Sequence, residues 1–507
     1  MWRTQLRRHR VVPTSLSAFL QANSTLQKDA SAALHRSTAL VVADTNSRSI
    51  YENLVAEEAL IRALSLDETQ CLLLYYVNRP CVVVGRNQNI FQEVALRRTA
   101  SDGVDVARRA SGGGAVFHDE HNLCFSFLTH RSRYAPEKTI QIVRLGLCAM
   151  YGVDPARITT THRHDLFLDG KKITGSAMRV QRDIAYHHCT LLVNTPHALL
   201  GRYLHPEGDY ADFRTSSVGS VRSPVTTLTE SGCVPAVPTA VDAMKADMTA
   251  FFLSQGRRVL EAASPWELDI AELRCDFAAT RKTYASSPLH ALDVCAAVAE
   301  DMSFVEGEGR RYARGDAVTF AEAVRKAKSK AWAYAMPTFT STVLVTQEEF
   351  QRCLSGLPAW KDAVRRSSLT AEELLDLLSQ SLFTERESVL QLHTTVDHRS
   401  ITRFEATSAG GEAVSAATAV AVPVEWLSRF FATLLVGSTC DAPVDGVEAA
   451  GDASVLVGGF LHEAGAAAPA LPDSVRDASV LMVIQTVLSI WRRKNVFDVD
   501  RGAGERR

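Results

Sequence analysis

A mixed α/β (α+β) architecture in more than one domain is what this sequence predicts, on three observations. Short β-branched runs at residues 39–44 (ALVVAD), 71–77 (CLLLYYV) and 81–85 (CVVVG) alternate with a stretch of helical period over residues 50–64. In that stretch Ile50, Leu54, Ile61 and Leu64 share one face. At 507 residues the chain is too long for one ordinary core. After Trp266 the pattern turns largely helical, and past residue 332 short strands and helices return.

Each element follows from its residues. Gly85-Arg86-Asn87-Gln88-Asn89 is a polar turn directly after an apolar strand, a place where loops carry ligand contacts as well as plain connections. VDVARR then alternates towards Gly112-Gly113-Gly114, with AVFH and LCFSFL as strands on the far side. Without Cβ atoms the backbone there can turn tightly and bring several N–H groups near an anion, while Arg108 and Arg109 supply planar cationic forks. On these residues alone a hairpin turn beside two arginines and an anion site both remain open. No GxxxxGK[ST] or GxGxxG is present, so neither a P-loop NTPase nor a Rossmann dinucleotide unit is supported.

A second block, residues 164–192 (HDLFLDGKKITGSAMRVQRDIAYHHCTLL), reads as strands joined by tight turns. Asp169-Gly170 marks a turn that puts Lys171 and Lys172 at the start of a strand, where alternation sends them to opposite faces. Further along, His188 and Thr190 share one face, and His187 and Cys189 the other.

Composition narrows the classes. With 46% hydrophobic and 22% charged residues the chain is neither disordered nor fibrous, and a net charge of -2 gives no electrostatic reason to expect nucleic acid. Ten cysteines without a CxxC pair or a Cys/His cluster at zinc spacing point to a reducing compartment without structural metal. Apolar runs such as residues 480–490 fall short of the ~20 residues that span a bilayer, so no membrane partner is expected. The first residues carry Arg3, Arg7, Arg8, Arg10 and Lys28 with no acid before Asp29, the composition of a mitochondrial transit peptide over residues 1–35.

Taken in order, RRASGGGAVFHD, GKKITGSAMR, YHHCTLLV and SVRSPVTTLTE resemble the lipoate protein ligase A and lipoyltransferase family, and PCVVVGRNQNIFQEV is similar to its segment before the double arginine. The likeness covers roughly residues 39–230. It implies the α/β fold shared with biotin protein ligases, although the GRGRxG-type loop of biotin ligation is absent. It also implies ATP-dependent activation of lipoate to lipoyl-AMP, with Mg²⁺ on the nucleotide, and transfer to a lysine of a lipoyl carrier domain. The carriers implied are 2-oxoacid dehydrogenase E2 subunits and glycine cleavage H protein, met by a monomer in the mitochondrial matrix. An amidotransferase using preformed lipoyl-AMP or a lipoylated carrier, or a non-catalytic protein that docks such carriers, would carry the same motifs.

By position, the resemblance gives Lys172 the acyl carbonyl and the phosphate, and Asp165 a place near the adenine with a further possible role as proton acceptor. Arg109 with the backbone of Ser111, Gly112, Gly113 and Gly114 would hold the acyl-adenylate. Ala177, His188 and Thr190 would line its pocket, and Arg86 and Asn89 would add contacts. Three positions depart from the family pattern. His164 stands for Asn before the aspartate, His121 for the Gly of HDxGN, and Cys189 for the Gly of HHG. Strand alternation turns Cys189 away from the His188 face, so it is expected to pack as a small apolar residue rather than act as a nucleophile.

Beyond the likeness, residues 266–331 form a helical extension to the domain at 36–265. A W-x-x-x-x-P-x-F match at Trp332, Pro337 and Phe339 resembles the segment that opens the family's accessory domain, here residues 332–507. In it TSTVLV, AEELLDLLSQ and TTVDHRSITRFEATS fit a small α+β unit. Ala/Gly/Ser-rich stretches at 406–422 and 447–470 read as inserts, and a helix is expected near 480–493.

Overall fold

The computed structural model describes residues 39–63, 66, 68, 70–285, 294–295, 304–305, 317–335, 338–367, 369–380, 382–383, 388–397, 400–409, 424–435 and 473–495. The expected targeting segment, Pro337, and the insert at 447–470 lie outside them.

The strands in chain order are β1 (Ala39–Asp44), β2 (Gln70–Tyr76), β3 (Cys81–Val84), β4 (Asp105–Arg108), β5 (Val116–His118), β6 (Asn122–His130), β7 (Ile158–Thr160), β8 (Leu166–Leu168) and β9 (Lys171–Lys172). They continue with β10 (Ser176–Gln181), β11 (Ile184–Leu192), β12 (Asp212–Thr215), β13 (Phe304–Val305), β14 (Ala317–Val318), β15 (Phe339–Thr346), β16 (Val389–Asp397) and β17 (Ser400–Ala409). The chain divides into two compact units.

The first unit takes the chain up to Arg86, Val104–Leu204 and Ser220–Ala333. Its main sheet has the order β1-β2-β6-β11-β10, parallel between β1 and β2 and antiparallel elsewhere. Two three-stranded sheets, β4-β3-β5 and β7-β8-β9, complete it. Strand β2 reads as an unbroken apolar run because both its faces are covered. Cys71, Leu73 and Tyr75 join a core with the helices Pro136–Tyr151 and Ala240–Glu261, and Leu72 and Leu74 join another with the helix Ile50–Ala63. Each fully buried Leu or Phe here contributes roughly 1.5–3 kcal/mol. The helix Pro136–Tyr151 starts on a proline at its first position and stops at Gly152, whose φ of 68° suits glycine.

The second unit takes Asn87–Gly103, His205–Gly219 and the chain from Tyr334. Its antiparallel sheet runs β12-β15-β16-β17, backed by helices that include Gln347–Ser355, Ala371–Gln380 and Asp473–Asn495. The last of these buries Met482, Ile484, Val487 and Trp491, and the Trp491 indole donates to Thr394 Oγ1 at 3.0 Å. The division differs from a continuous domain over residues 36–265, since two stretches inside that range belong to the C-terminal unit. The reason is a long-range pairing, Asp212 with Thr342 through Thr215 with Phe339. The expected extension at 266–331 contains the helices Ile270–Ala285 and Phe320–Lys328 and joins the first unit. Of the expected insert at 406–422, residues 406–409 close β17. Among the described residues no helix is long and apolar enough to cross a membrane.

Two buried histidines make the fold sensitive to acid. Burial, with a smaller push from His188, holds the His187 imidazole down at about 3 from its ordinary 6.5. Burial, with a smaller push from Arg109, does the same to His118. The unfolded chain therefore binds protons below pH 6.5 that the folded chain refuses until about pH 3. Stability is full above that upper limit and falls as the pH is lowered through this window. Urea unfolding midpoints measured between pH 7.5 and about 4.5 should decline, and His187→Phe should flatten the decline; an equal slope in the variant would refute the assignment.

Candidate active site

The glycine loop hangs between β4 and β5, and Arg109 sets its shape from the inside. Arg109 is 5% exposed. Its Nε donates to Ser111 Oγ (3.0 Å) and Gly112 O (3.1 Å), Nη1 to Val83 O (3.1 Å), and Nη2 to Gly112 O and Gly114 O (2.7 Å each). Burial lowers this group to about 10, which leaves it a cation at neutral pH. Its donors thus gather the loop's carbonyls, and the residue braces the loop from within. Among the described residues no protein acceptor takes the amide hydrogens of Gly112, Gly113 or Gly114.

Two glycines are sterically required. A Cβ on Gly85 would lie 2.2 Å from Gly113 O, and Gly113 has a φ of 87° with Arg109 Nη2 only 2.9 Å from its own Cβ position. Gly112 would meet nothing within 4 Å.

Behind the loop runs a buried polar chain. Ser111 Oγ lies 3.0 Å from His188 Nε2, and His188 Nδ1 lies 3.1 Å from both carboxylate oxygens of Glu57 on the helix Ile50–Ala63. His188 comes from β11, paired opposite Ala177 of β10. Its carboxylate partner fixes the ring's orientation, and the ring then fixes Ser111.

The lysine arrives from the hairpin of β8 and β9. Asp169 (φ 49°) and Gly170 (φ 76°) form a two-residue turn with both centres left-handed, as a tight hairpin of this twist demands. Lys171 then faces solvent, while the Lys172 side chain is 21% exposed and its Nζ donates to Asp165 Oδ2 at 2.7 Å. Asp165 Oδ1 accepts from the Ser176 amide at 2.8 Å, so the carboxylate is fixed from both oxygens. Thr190 Oγ1 accepts from the Gly175 amide at 3.0 Å.

One cavity collects these elements. Gly114, Lys172, Ala177, His188 and Thr190 line it together with Arg109. Ser111, Gly112 and Gly113 stand outside that lining, and Asp165 reaches it through Lys172. Arg86 stays in the exposed turn, where its amide donates to Ser111 O at 2.9 Å. Asn89 belongs to the second unit, buried as the N-cap of Ile90–Glu93 with its side chain accepting from the Phe91 amide. Its Oδ1 thus serves as a cap, because an Asn ahead of a helix satisfies an orphan amide. Cys189 packs in the apolar core with Leu73, Phe125 and Leu191, where burial pushes its thiol well above the ordinary range, as alternation anticipates.

Sequence reasoning missed Gly85, Glu57, Arg163 and Ser220. Glu57 had a signal, since it sits in the apolar stripe of its helix between Leu54 and Ile61, where a lone carboxylate needs a partner. Ser220 accepts from the Ala115 amide at 2.8 Å. Among the described residues no cluster of three His, Cys, Asp or Glu side chains is placed to hold a metal.

Residues 49–251 match the family model of the lipoyl protein ligase A/B catalytic domain. The human mitochondrial lipoyl amidotransferase is 36% identical over 186 residues, which make up 36% of this chain and 48% of that protein. The chain thus spans about half the length of the curated relative it matches. Among solved structures, P. falciparum LipL1 in complex with lipoate overlaps 84% of this chain and 98% of its own, at 17% identity and a TM-score of 0.40. Lipoate-protein ligase A bound with ATP overlaps 52% of this chain and 99% of its own, at 18% identity and a TM-score of 0.34. The glycine loop, the lysine hairpin and the paired strands β10 and β11 all lie inside residues 49–251, so the likeness to the lipoyl protein ligase A/B catalytic domain, and with it the support for the lipoate protein ligase and lipoyltransferase family, rests on the elements that build this site.

Proposed function

We propose that the chain is an ATP-dependent lipoate–protein ligase that makes lipoyl-AMP and transfers the acyl group to a lysine of a lipoyl carrier domain. The observation that carries this reading is the Lys172 ammonium, held by Asp165 at 2.7 Å in the cavity that Gly114 also lines. In the first step a carboxylate oxygen of lipoate attacks the α-phosphorus of ATP and pyrophosphate leaves. Two anions must approach, and Lys172 with the loop amides offsets their repulsion in a partly dehydrated pocket. In the second step the carrier amine attacks the acyl carbon, AMP leaves, and Lys172 stabilises the developing oxyanion.

Asp165 has both oxygens occupied, so its role here is to position Lys172, and another acceptor takes the proton of the incoming amine. Neutralising an ordinary lysine at pH 7.5 costs about 4 kcal/mol. Ala177, His188 and Thr190 shape the adenylate pocket, and Ser111 to Gly114 present the loop. Mg²⁺ enters on the phosphates of ATP. The proposed carriers are 2-oxoacid dehydrogenase E2 subunits and H protein, in the mitochondrial matrix.

The 36% identity to a lipoyl amidotransferase favours a second reading, transfer from preformed lipoyl-AMP or from a lipoylated carrier without activation of free lipoate. One experiment separates them. The purified chain is given ATP, Mg²⁺, lipoate and an apo carrier, and intact mass is read together with lipoate-dependent ATP–pyrophosphate exchange. Exchange plus carrier lipoylation supports the ligase. Lipoylation from lipoyl-AMP without exchange supports the amidotransferase, and carrier binding without modification from any donor refutes both.

A further inference from the structure

We propose that Arg163 is a second phosphate-binding cation of this pocket beside Lys172, and takes the phosphate contact that the double arginine of the glycine loop was expected to make. The inference rests on the nucleotide reading above. Among the described residues three strong cations line the cavity: Arg109, Lys172 and Arg163. Arg109 turns its donors onto Ser111, Val83 and the loop carbonyls, and Glu57 faces it at the other end of the His188 and Ser111 chain. Lys172 is matched by Asp165. Among the described residues no hydrogen bond or ion pair occupies the Arg163 guanidinium, and its side chain is only partly buried. With the other two charges offset, the lining keeps one positive charge, which equals and opposes the single negative charge of an adenylate phosphodiester or acyl phosphate.

The local backbone holds this residue in place. Between β7 and β8 the Thr161 amide donates to Asp165 O (3.1 Å), the His164 amide to Thr161 O (2.9 Å) and the Arg163 amide to Thr161 Oγ1 (3.3 Å). His164 completes the turn with a φ of 59°. Arg163 is thereby displayed at the tip of a closed loop, two residues before the carboxylate that anchors Lys172. A planar fork on a rigid loop suits bidentate contact with phosphate oxygens.

The test is calorimetric titration of the full chain with AMP, ATP and adenosine, in the parent, Arg163→Gln, Arg163→Lys and Lys171→Ala proteins. Arg163→Gln should raise the Kd for AMP about 10- to 100-fold and leave that for adenosine within about twofold. Arg163→Lys should recover part of the loss, and Lys171→Ala, which removes an exposed charge outside the cavity, should match the parent. Unchanged AMP affinity in Arg163→Gln, or equal losses for AMP and adenosine, would overturn the assignment while leaving the nucleotide reading intact. A parent protein that binds neither AMP nor ATP would overturn the nucleotide reading itself and this assignment with it.

Discussion

Replacing Lys172 with alanine should lower lipoyl transfer about 100- to 1000-fold with the fold intact, the loss typical of removing one donor to a developing oxyanion. The side chain is only partly buried and its ion pair with Asp165 is local, so circular dichroism and the melting profile should stay close to the parent's. Lys171→Ala provides the contrast, because its side chain faces solvent on the opposite side of β9. Single-turnover transfer from preformed lipoyl-AMP reads the effect without the adenylation step. Full activity in Lys172→Ala, or an equal loss in Lys171→Ala, would remove Lys172 from the chemistry.

Gly85→Ala should be nearly as damaging, although residue 85 stands outside the cavity lining. Its new Cβ would sit 2.2 Å from the carbonyl oxygen of Gly113, and that oxygen is backbone and cannot swing aside. Relief requires the loop to move, which disturbs the Arg109 bonds to Gly112 O and Gly114 O. Overpacking of this kind destabilises by about 1–3 kcal/mol, and a displacement of ~1 Å at a reacting site can cost about 100-fold in rate. Gly113→Ala should follow it, since its φ of 87° is strained for any side chain. Gly112→Ala, with open space around its Cβ position, should melt within about 2 °C of the parent, a shift that corresponds to about 1 kcal/mol. Equal melting temperatures and rates across the three variants would refute this account of the loop.

Much of the site is legible along the chain because its signals are local. A tight turn needs Asp169-Gly170, alternation separates Lys171 from Lys172, and the same rule puts His188 and Cys189 on opposite faces of β11. The apolar runs gave the strands and the helix Ile50–Ala63 nearly to their ends, since covering both faces of a sheet leaves an unmistakable trace.

What a side chain does with its charge was not legible. The residues RR before GGG announce two cations, but whether Arg109 turns outward to a ligand or inward to carbonyls depends on Val83 and Gly114, brought beside it by β3 and β5. Arg163 carried no pattern of its own for the same reason: a cation is available for a ligand only if no partner from another strand has claimed it.

By itself the sequence determined the likeness to lipoate ligases, the strand and helix periods, the Asp169-Gly170 turn and that Lys171 and Lys172 take opposite faces, the resemblance then favouring Lys172. Only the tertiary structure decided that Arg109 braces the loop, that Asn89 caps a helix in the second unit, and that two stretches of the expected first domain join the C-terminal unit. Periodicity and turns are settled between neighbours in the chain. Charge pairing, close backbone approach and strand partnership are settled between residues as far apart as Asp212 and Thr342, and those exist only once the chain has folded.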